Sequence, residues 1–162
     1  MRIKKSTLFI ARAGIIAALY VALTFLSAAM GLASGVIQLR LSEALCVLPV
    51  FTPAAIPGLA VGCLIANFAT GAVVLDVIFG SLATLLGALG AWAMRRWKYL
   101  APLPTILANM LIVPFVLKYA YSAGEAVPFM MLTVGIGEFF ACGVLGTLLT
   151  VMLSKNRICL IS

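Results

Sequence analysis

The sequence predicts an all-α integral membrane protein, a compact bundle of six transmembrane helices forming a single domain with both termini cytoplasmic. Three observations carry that prediction. Of 162 residues, 65% are hydrophobic and 9% charged, with a mean hydropathy of +1.25, far from the average of soluble domains. The apolar residues fall into six runs divided by charges or Pro/Gly clusters. Charge is segregated along those runs, with nine of eleven Lys/Arg residues on one side of a six-span topology and the acids Glu43, Asp76, Glu125 and Glu138 toward the other. At about 20 residues per crossing, the chain holds five or six helices and no soluble domain beside them.

The first run, 7–33, follows Lys4 and Lys5 and ends near Ser27-Ala28-Ala29, an arrangement that imitates a signal peptide. Arg12 interrupts the transition from charged to apolar, and the uninterrupted stretch 13–33 has the length of a retained span. The second and third runs, 41–51 and 53–70, contain Pro49, Pro53 and Pro57. They read either as one kinked crossing or as a tight helical hairpin at 51–53. Charge parity decides between the two. Two crossings gather Arg2, Lys4, Lys5, Arg12, Arg95, Arg96, Lys98, Lys155 and Arg157 on the cytoplasmic side, whereas one crossing sends the last two clusters outside. The second span is short, so Arg40 and Glu43 at its start are expected partly within the bilayer. Runs 73–94, 101–121 and 126–153 complete the bundle.

Absences narrow the chemistry. With no His, imidazole proton relays and His-containing metal sites are excluded. Cys46, Cys63, Cys142 and Cys159 show no C-x-x-C spacing, and the first three lie in apolar spans where cysteine packs as a small residue. No nucleophile, acid/base pair or metal set has catalytic spacing, so the chain is not expected to be an enzyme or to carry a cofactor. No nucleic-acid partner is expected. A phosphate-cradling G-x-x-x-x-G-K-[ST] sequence is missing, so ATP-driven transport has to draw on partner subunits.

What remains is a set of polar groups inside apolar helices. Arg40 and Glu43 start the second span, Asn67 lies late in the third, Asp76 early in the fourth, Asn109 mid-way along the fifth with Lys118 further out, and Glu138 half-way down the sixth. One cavity open to the outside collects them, whereas lipid-facing placement costs about 2.5–3.5 kcal/mol per charged group. Plainer readings stand beside this one. Arg40 and Glu43, three apart, can neutralise each other; Asn67 and Asn109 can join helices; Lys118 and Asp76 can snorkel; Glu125 can be solvated. Glu138, at mid-depth, is the residue for which function outweighs structure. Its neighbours Gly135 and Gly137 open space, and Phe139 and Phe140 can stack on a flat ligand. A stand-alone transporter using Glu138 as a proton carrier is the rival reading, although no inverted repeat is evident. In the first span, Ala13 and Ala17, and separately Gly14, Ala18 and Ala22, recur at four-residue spacing, which suits close packing inside the bundle or against a partner.

The stretch 37–58, with Arg40, Ser42, Glu43 and the run Phe51-Thr52-Pro53-Ala54-Ala55-Ile56-Pro57-Gly58, resembles the QueT family of membrane transporters. So do 62–67 with Asn67, 75–85 with Asp76, Ala101-Pro102-Leu103-Pro104, Asn109, and Val134-Gly135-Ile136-Gly137-Glu138; the likeness covers roughly 11–146. The resemblance implies a multi-pass protein of the prokaryotic plasma membrane. It implies the substrate-binding S component of an energy-coupling factor transporter for queuosine precursors, which are 7-deazaguanines, although another vitamin-like substrate remains an alternative. The implied partners are a transmembrane coupling protein and two ATPase subunits, with Ala13 and Ala17 on the docking surface. A guanine-like ring offers adjacent N–H donors that one carboxylate accepts in bidentate fashion. Glu138 is the first choice for that carboxylate and Asn67 or Asn109 for the amide. Glu43 or Asp76 would neutralise an aminomethyl cation beside Arg40, and Phe79, Phe139 and Phe140 are stacking candidates.

Overall fold

The computed structural model describes residues 4–32, 37–122 and 124–155, and every regular element among them is helical. Helix α1 spans Lys5–Ala29, α2 Leu41–Val50, α3 Ala55–Ala69 and α4 Val74–Ala93. A short 3-10 turn, Lys98–Leu100, leads into α5, Pro102–Ala120, and α6 occupies Val127–Lys155. The six apolar runs of the sequence thus become six helical segments. Four of them, α1, α4, α5 with its leading turn, and α6, are long and apolar enough to cross a membrane. The expected end of the first span at Ala33, and the charges Arg2 and Arg157, lie outside the described residues.

Helix α2 is the exception that organises the others. It is a 3-10 helix of 10 residues. At about 2.0 Å per residue it reaches about 20 Å, short of the roughly 30 Å hydrocarbon core. Eight of its residues are buried, and it packs against α1, α4 and α6, so it fills the centre of the bundle. Runs of 3-10 helix this long are uncommon, and neighbouring side chains hold this one at its start. Ser27 Oγ accepts the backbone N–H of Leu41 at 2.8 Å, and Thr24 Oγ1 donates to Ser42 Oγ at 2.9 Å. The Ser27-Ala28-Ala29 sequence that imitates a cleavage site is therefore a helix-joining element.

Small residues set the contact between α1 and α3. A Cβ at Gly58 would lie 2.7 Å from the Ala13 carbonyl oxygen, and one at Gly62 would lie 3.0 Å from the Ala17 Cα. Ala13 and Ala17 thus pack against α3 within the chain, the internal alternative that their spacing also allowed. The other small-residue series occupies a different face. Gly14, Ala18 and Ala22 are exposed, and nothing lies within 4 Å of a Cβ built at Gly14.

The two ends of the bundle differ in charge. Val50, Phe51, Ala91 and Ala101 cluster with Leu153, bringing the α2–α3 turn, the end of α4, the start of α5 and the end of α6 together. Arg95, Arg96, Lys98 and Lys155 lie at this end. All four acids lie in the other half, where Tyr121 at the end of α5 bonds to Asp76 near the start of α4.

Because Gly62 abuts backbone that cannot swing away, Gly62→Val should destabilise the protein by about 1–3 kcal/mol. Gly14→Val should leave the monomer's thermal unfolding in detergent close to wild type, and equal effects of the two substitutions would contradict the α1–α3 packing.

Candidate binding site

The chain's polar interior starts from Glu43. On α2 it is only 2% exposed, and a carboxylate so placed must be hydrogen-bonded. Tyr20 of α1 donates its hydroxyl to Oε1 at 2.5 Å, and Cys46, one turn along α2, donates its thiol to Oε2 at 3.0 Å. The i, i+3 pair expected between Arg40 and Glu43 is replaced by these two donors. Arg40 Nη1 instead donates to Asn67 Oδ1 at 3.3 Å. Asn67 Nδ2 in turn donates to the Asp76 carbonyl at 3.4 Å, so α3 is joined to α4 beside the Arg40 head. Tyr121 closes the series: its hydroxyl accepts the Val73 N–H at 3.2 Å and donates to Asp76 Oδ2 at 3.0 Å.

Two cavities lie within this framework. The outer one, of about 550 Å³, is bounded by residues including Thr24, Asn67, Thr70, Leu117 and Tyr121, and its size suits a small organic ligand. The inner one, of about 30 Å³, has Glu43, Thr84, Asn109 and Glu138 in its wall and holds about one water. Gln38, Arg40, Asp76 and Val113 belong to both linings, so they form the partition between the chambers.

Helical geometry explains which side chains face inward. Asp76, Gly80 and Thr84 recur every four residues on α4, as do Val134 and Glu138 on α6, and each series lines the inner chamber. The carbonyl of Gln38 occupies the space a Cβ at Gly137 would need, so the segment before α2 lies directly on α6 beside Glu138. Glu138 contributes the one feature that the framework leaves open. Asn109 lines the same chamber as Glu138, and Glu138 Oε2 is buried with no hydrogen-bond partner among the described residues.

The structure therefore gathers Arg40, Glu43, Asn67, Asp76, Asn109 and Glu138 around connected cavities. It places the aromatic candidates apart from those cavities. Phe79, Phe139 and Phe140 are 42%, 57% and 50% exposed, and none lines either chamber. Phe79 is one residue off the Asp76–Gly80–Thr84 stripe, and Phe139 lies about 100° around the helix from Glu138, so both point away from the cavity. Lys118 and Glu125 meet each other at the exposed end of α5, where Lys118 Nζ donates to the Glu125 carbonyl at 3.4 Å. Sequence reasoning missed Tyr20, Gln38, Cys46, Thr84 and Tyr121. Tyr20 carried a signal, since a tyrosine inside an apolar span needs a partner for its hydroxyl.

The family described as QueT transporter matches residues 10–155. The queuosine precursor transporter QueT of Lactococcus lactis subsp. cremoris (strain MG1363) is 38% identical over 96 residues, 59% of this chain and 56% of that protein. The matched stretch thus spans a little over half the length of that relative. No solved structure matches the chain.

Tyr20→Phe removes a donor from a buried carboxylate and should cost about 1–3 kcal/mol of stability. Tyr119→Phe, at a residue 77% exposed, should leave the unfolding midpoint unchanged; the paired melting curves test whether Glu43 depends on Tyr20.

Proposed function

The chain belongs to the QueT transporter family, and from that premise we propose that it is the substrate-binding S component of an energy-coupling factor importer for queuosine precursors. The observation that carries the reading is the unsatisfied Oε2 of Glu138 on the wall of the inner chamber. A buried carboxylate oxygen without a partner is costly, and a ligand that donates to it recovers the missing hydrogen bond. The N1–H and exocyclic amine of a 7-deazaguanine are donors of this kind, and Asn109 stands beside Glu138 to read the adjoining acceptor.

The outer chamber has room for the ring, and the inner one accommodates only a small group until Gln38 and Arg40 move aside. In this reading, substrate enters past Arg40 and Asn67 and presents its donor edge to Glu138. Asp76 sits in the partition, with one oxygen held by Tyr121, and is better placed than Glu43 to meet an aminomethyl cation. Glu43 already takes a donor on each oxygen, so its part is to hold α2 against α1. The basic end of the bundle faces the cytoplasm, as the asymmetry of Lys and Arg favours. A coupling protein and two ATPase subunits supply the energy. The coupling protein docks on the exposed Gly14, Ala18 and Ala22 face, where small side chains admit another helix closely.

Thermal unfolding of the purified protein with 7-aminomethyl-7-deazaguanine, queuine, guanine and unrelated vitamins tests the substrate. A ligand held at about one hundred times its Kd should stabilise by about 2.7 kcal/mol. Failure of every deazaguanine, with a shift by some vitamin, would reject the substrate and keep the transporter class. Glu138→Gln should weaken binding at least about tenfold, as expected for one charge-assisted hydrogen bond, while Glu125→Gln leaves it unchanged. Ala18→Trp should abolish ATP-dependent uptake with binding intact; full uptake by this variant would place the docking face elsewhere.

A further inference from the structure

Two hollows at the basic end of the bundle take no part in the site above. One, of about 520 Å³, is formed by Arg96, Trp97, Lys98, Tyr99 and Leu100. The other, of about 610 Å³, is a groove between α5 and α6, with Leu103, Ile106, Phe139, Gly143 and Val151 among its lining residues. Tyr99 and Leu100 line both, so the two are continuous.

Two basic residues, Arg96 and Lys98, border the first hollow beside apolar surface from Trp97, Tyr99 and Leu100. Arg96 and Lys98 are exposed, Arg95 stacks over the Trp92 ring at 4.4 Å, and Lys98 lies 5.5 Å from the Phe51 ring centroid. None of the four Asp and Glu side chains lies beside them, because all four are in the other half of the molecule. Trp97 and Tyr99 are 67% and 64% exposed, as amphipathic aromatics are where hydrocarbon meets water. The second hollow is mainly apolar, with the hydroxyls of Tyr99 and Thr147 the polar side-chain groups in its lining. A π-helical stretch of α6, Phe139–Leu145, forms one wall of the groove. Gly143 leaves it unfilled, since a Cβ there would make only ordinary contacts, 3.4 Å to Phe139 and 3.7 Å to Ile106.

Two exposed cations, Arg96 and Lys98, beside a mainly apolar groove fit a molecule with an anionic head and an aliphatic tail. We propose that this surface binds one anionic phospholipid, its headgroup phosphate between Arg96 and Lys98 and an acyl chain in the α5–α6 groove. The head is selected by charge. The chain is selected by fit, because the groove offers dispersion contacts that a flat helix surface in lipid does not.

Native mass spectrometry of the full-length protein, titrated with palmitoyl-oleoyl phosphatidylglycerol or the matching phosphatidylcholine, tests the proposal. The wild type should retain one phosphatidylglycerol in preference to phosphatidylcholine. Arg96→Gln combined with Lys98→Gln should lower phosphatidylglycerol retention on the order of tenfold, to the phosphatidylcholine level. Gly143→Leu should reduce retention of both lipids, and Thr147→Leu provides a second groove variant should the first fail to fold, with thermal unfolding reporting the fold of each. Equal retention of the two lipids by the wild type, unchanged phosphatidylglycerol binding by the charge variant, or groove variants that hold both lipids normally would each overturn it. So would a dimer of this chain that Gly143→Leu dissolves.

Discussion

A carboxylate at the apolar centre of a membrane protein is tolerable only when donors surround it. Glu43 meets that requirement with Tyr20 from α1 and Cys46 from its own helix, and the arrangement of α2 follows from it. A ten-residue helix contributes too little surface to fix its own depth among longer helices. The bonds to Glu43, together with Ser27 and Thr24 at its start, fix both its height and its rotation. Once α2 is held there, Arg40 is delivered to Asn67, and the polar residues of α3, α4, α5 and α6 converge above it.

The contrast between Glu43 and Glu138 then gives the interior its character. Both carboxylates belong to the wall of the same small chamber, yet each oxygen of Glu43 has a donor while Oε2 of Glu138 has none among the described residues. A satisfied group rigidifies the protein, and an unsatisfied one awaits a donor from elsewhere. In the proposed function, the bundle separates the task of holding itself together, given to Glu43, from that of meeting a ligand, given to Glu138, although identical side chains perform the two. The outer chamber, across the partition that Arg40 and Asp76 help to form, has the volume that the inner one lacks.

Small residues show the same division of labour on the outside of the helices. Gly58 and Gly62 let α3 lie against Ala13 and Ala17, whereas Gly14, Ala18 and Ala22 are left uncovered. The two series are offset by one residue and rotated about 100° from each other, so four-residue spacing alone cannot say which one is inside. Phe139 illustrates a further limit. Its place next to Glu138 in the chain suggested a stacking role, but adjacent helical residues point in different directions, and Phe139 lines the groove between α5 and α6.

Composition, the six apolar runs and the uneven placement of charge determined that the chain is an all-helical membrane protein, because transfer free energies act on each residue wherever it packs. The polar residues of the spans were legible as one group for the same reason, since lipid exposure penalises each of them, and Arg40, Glu43, Asn67, Asp76, Asn109 and Glu138 do meet around connected cavities. Tertiary structure alone decided which of them are satisfied. Tyr20 reaches Glu43 across 23 residues of sequence, and Tyr121 reaches Asp76 across 45. Such pairings depend on the rotation and depth of each helix, which are set by close packing between helices and leave no periodic trace in the chain.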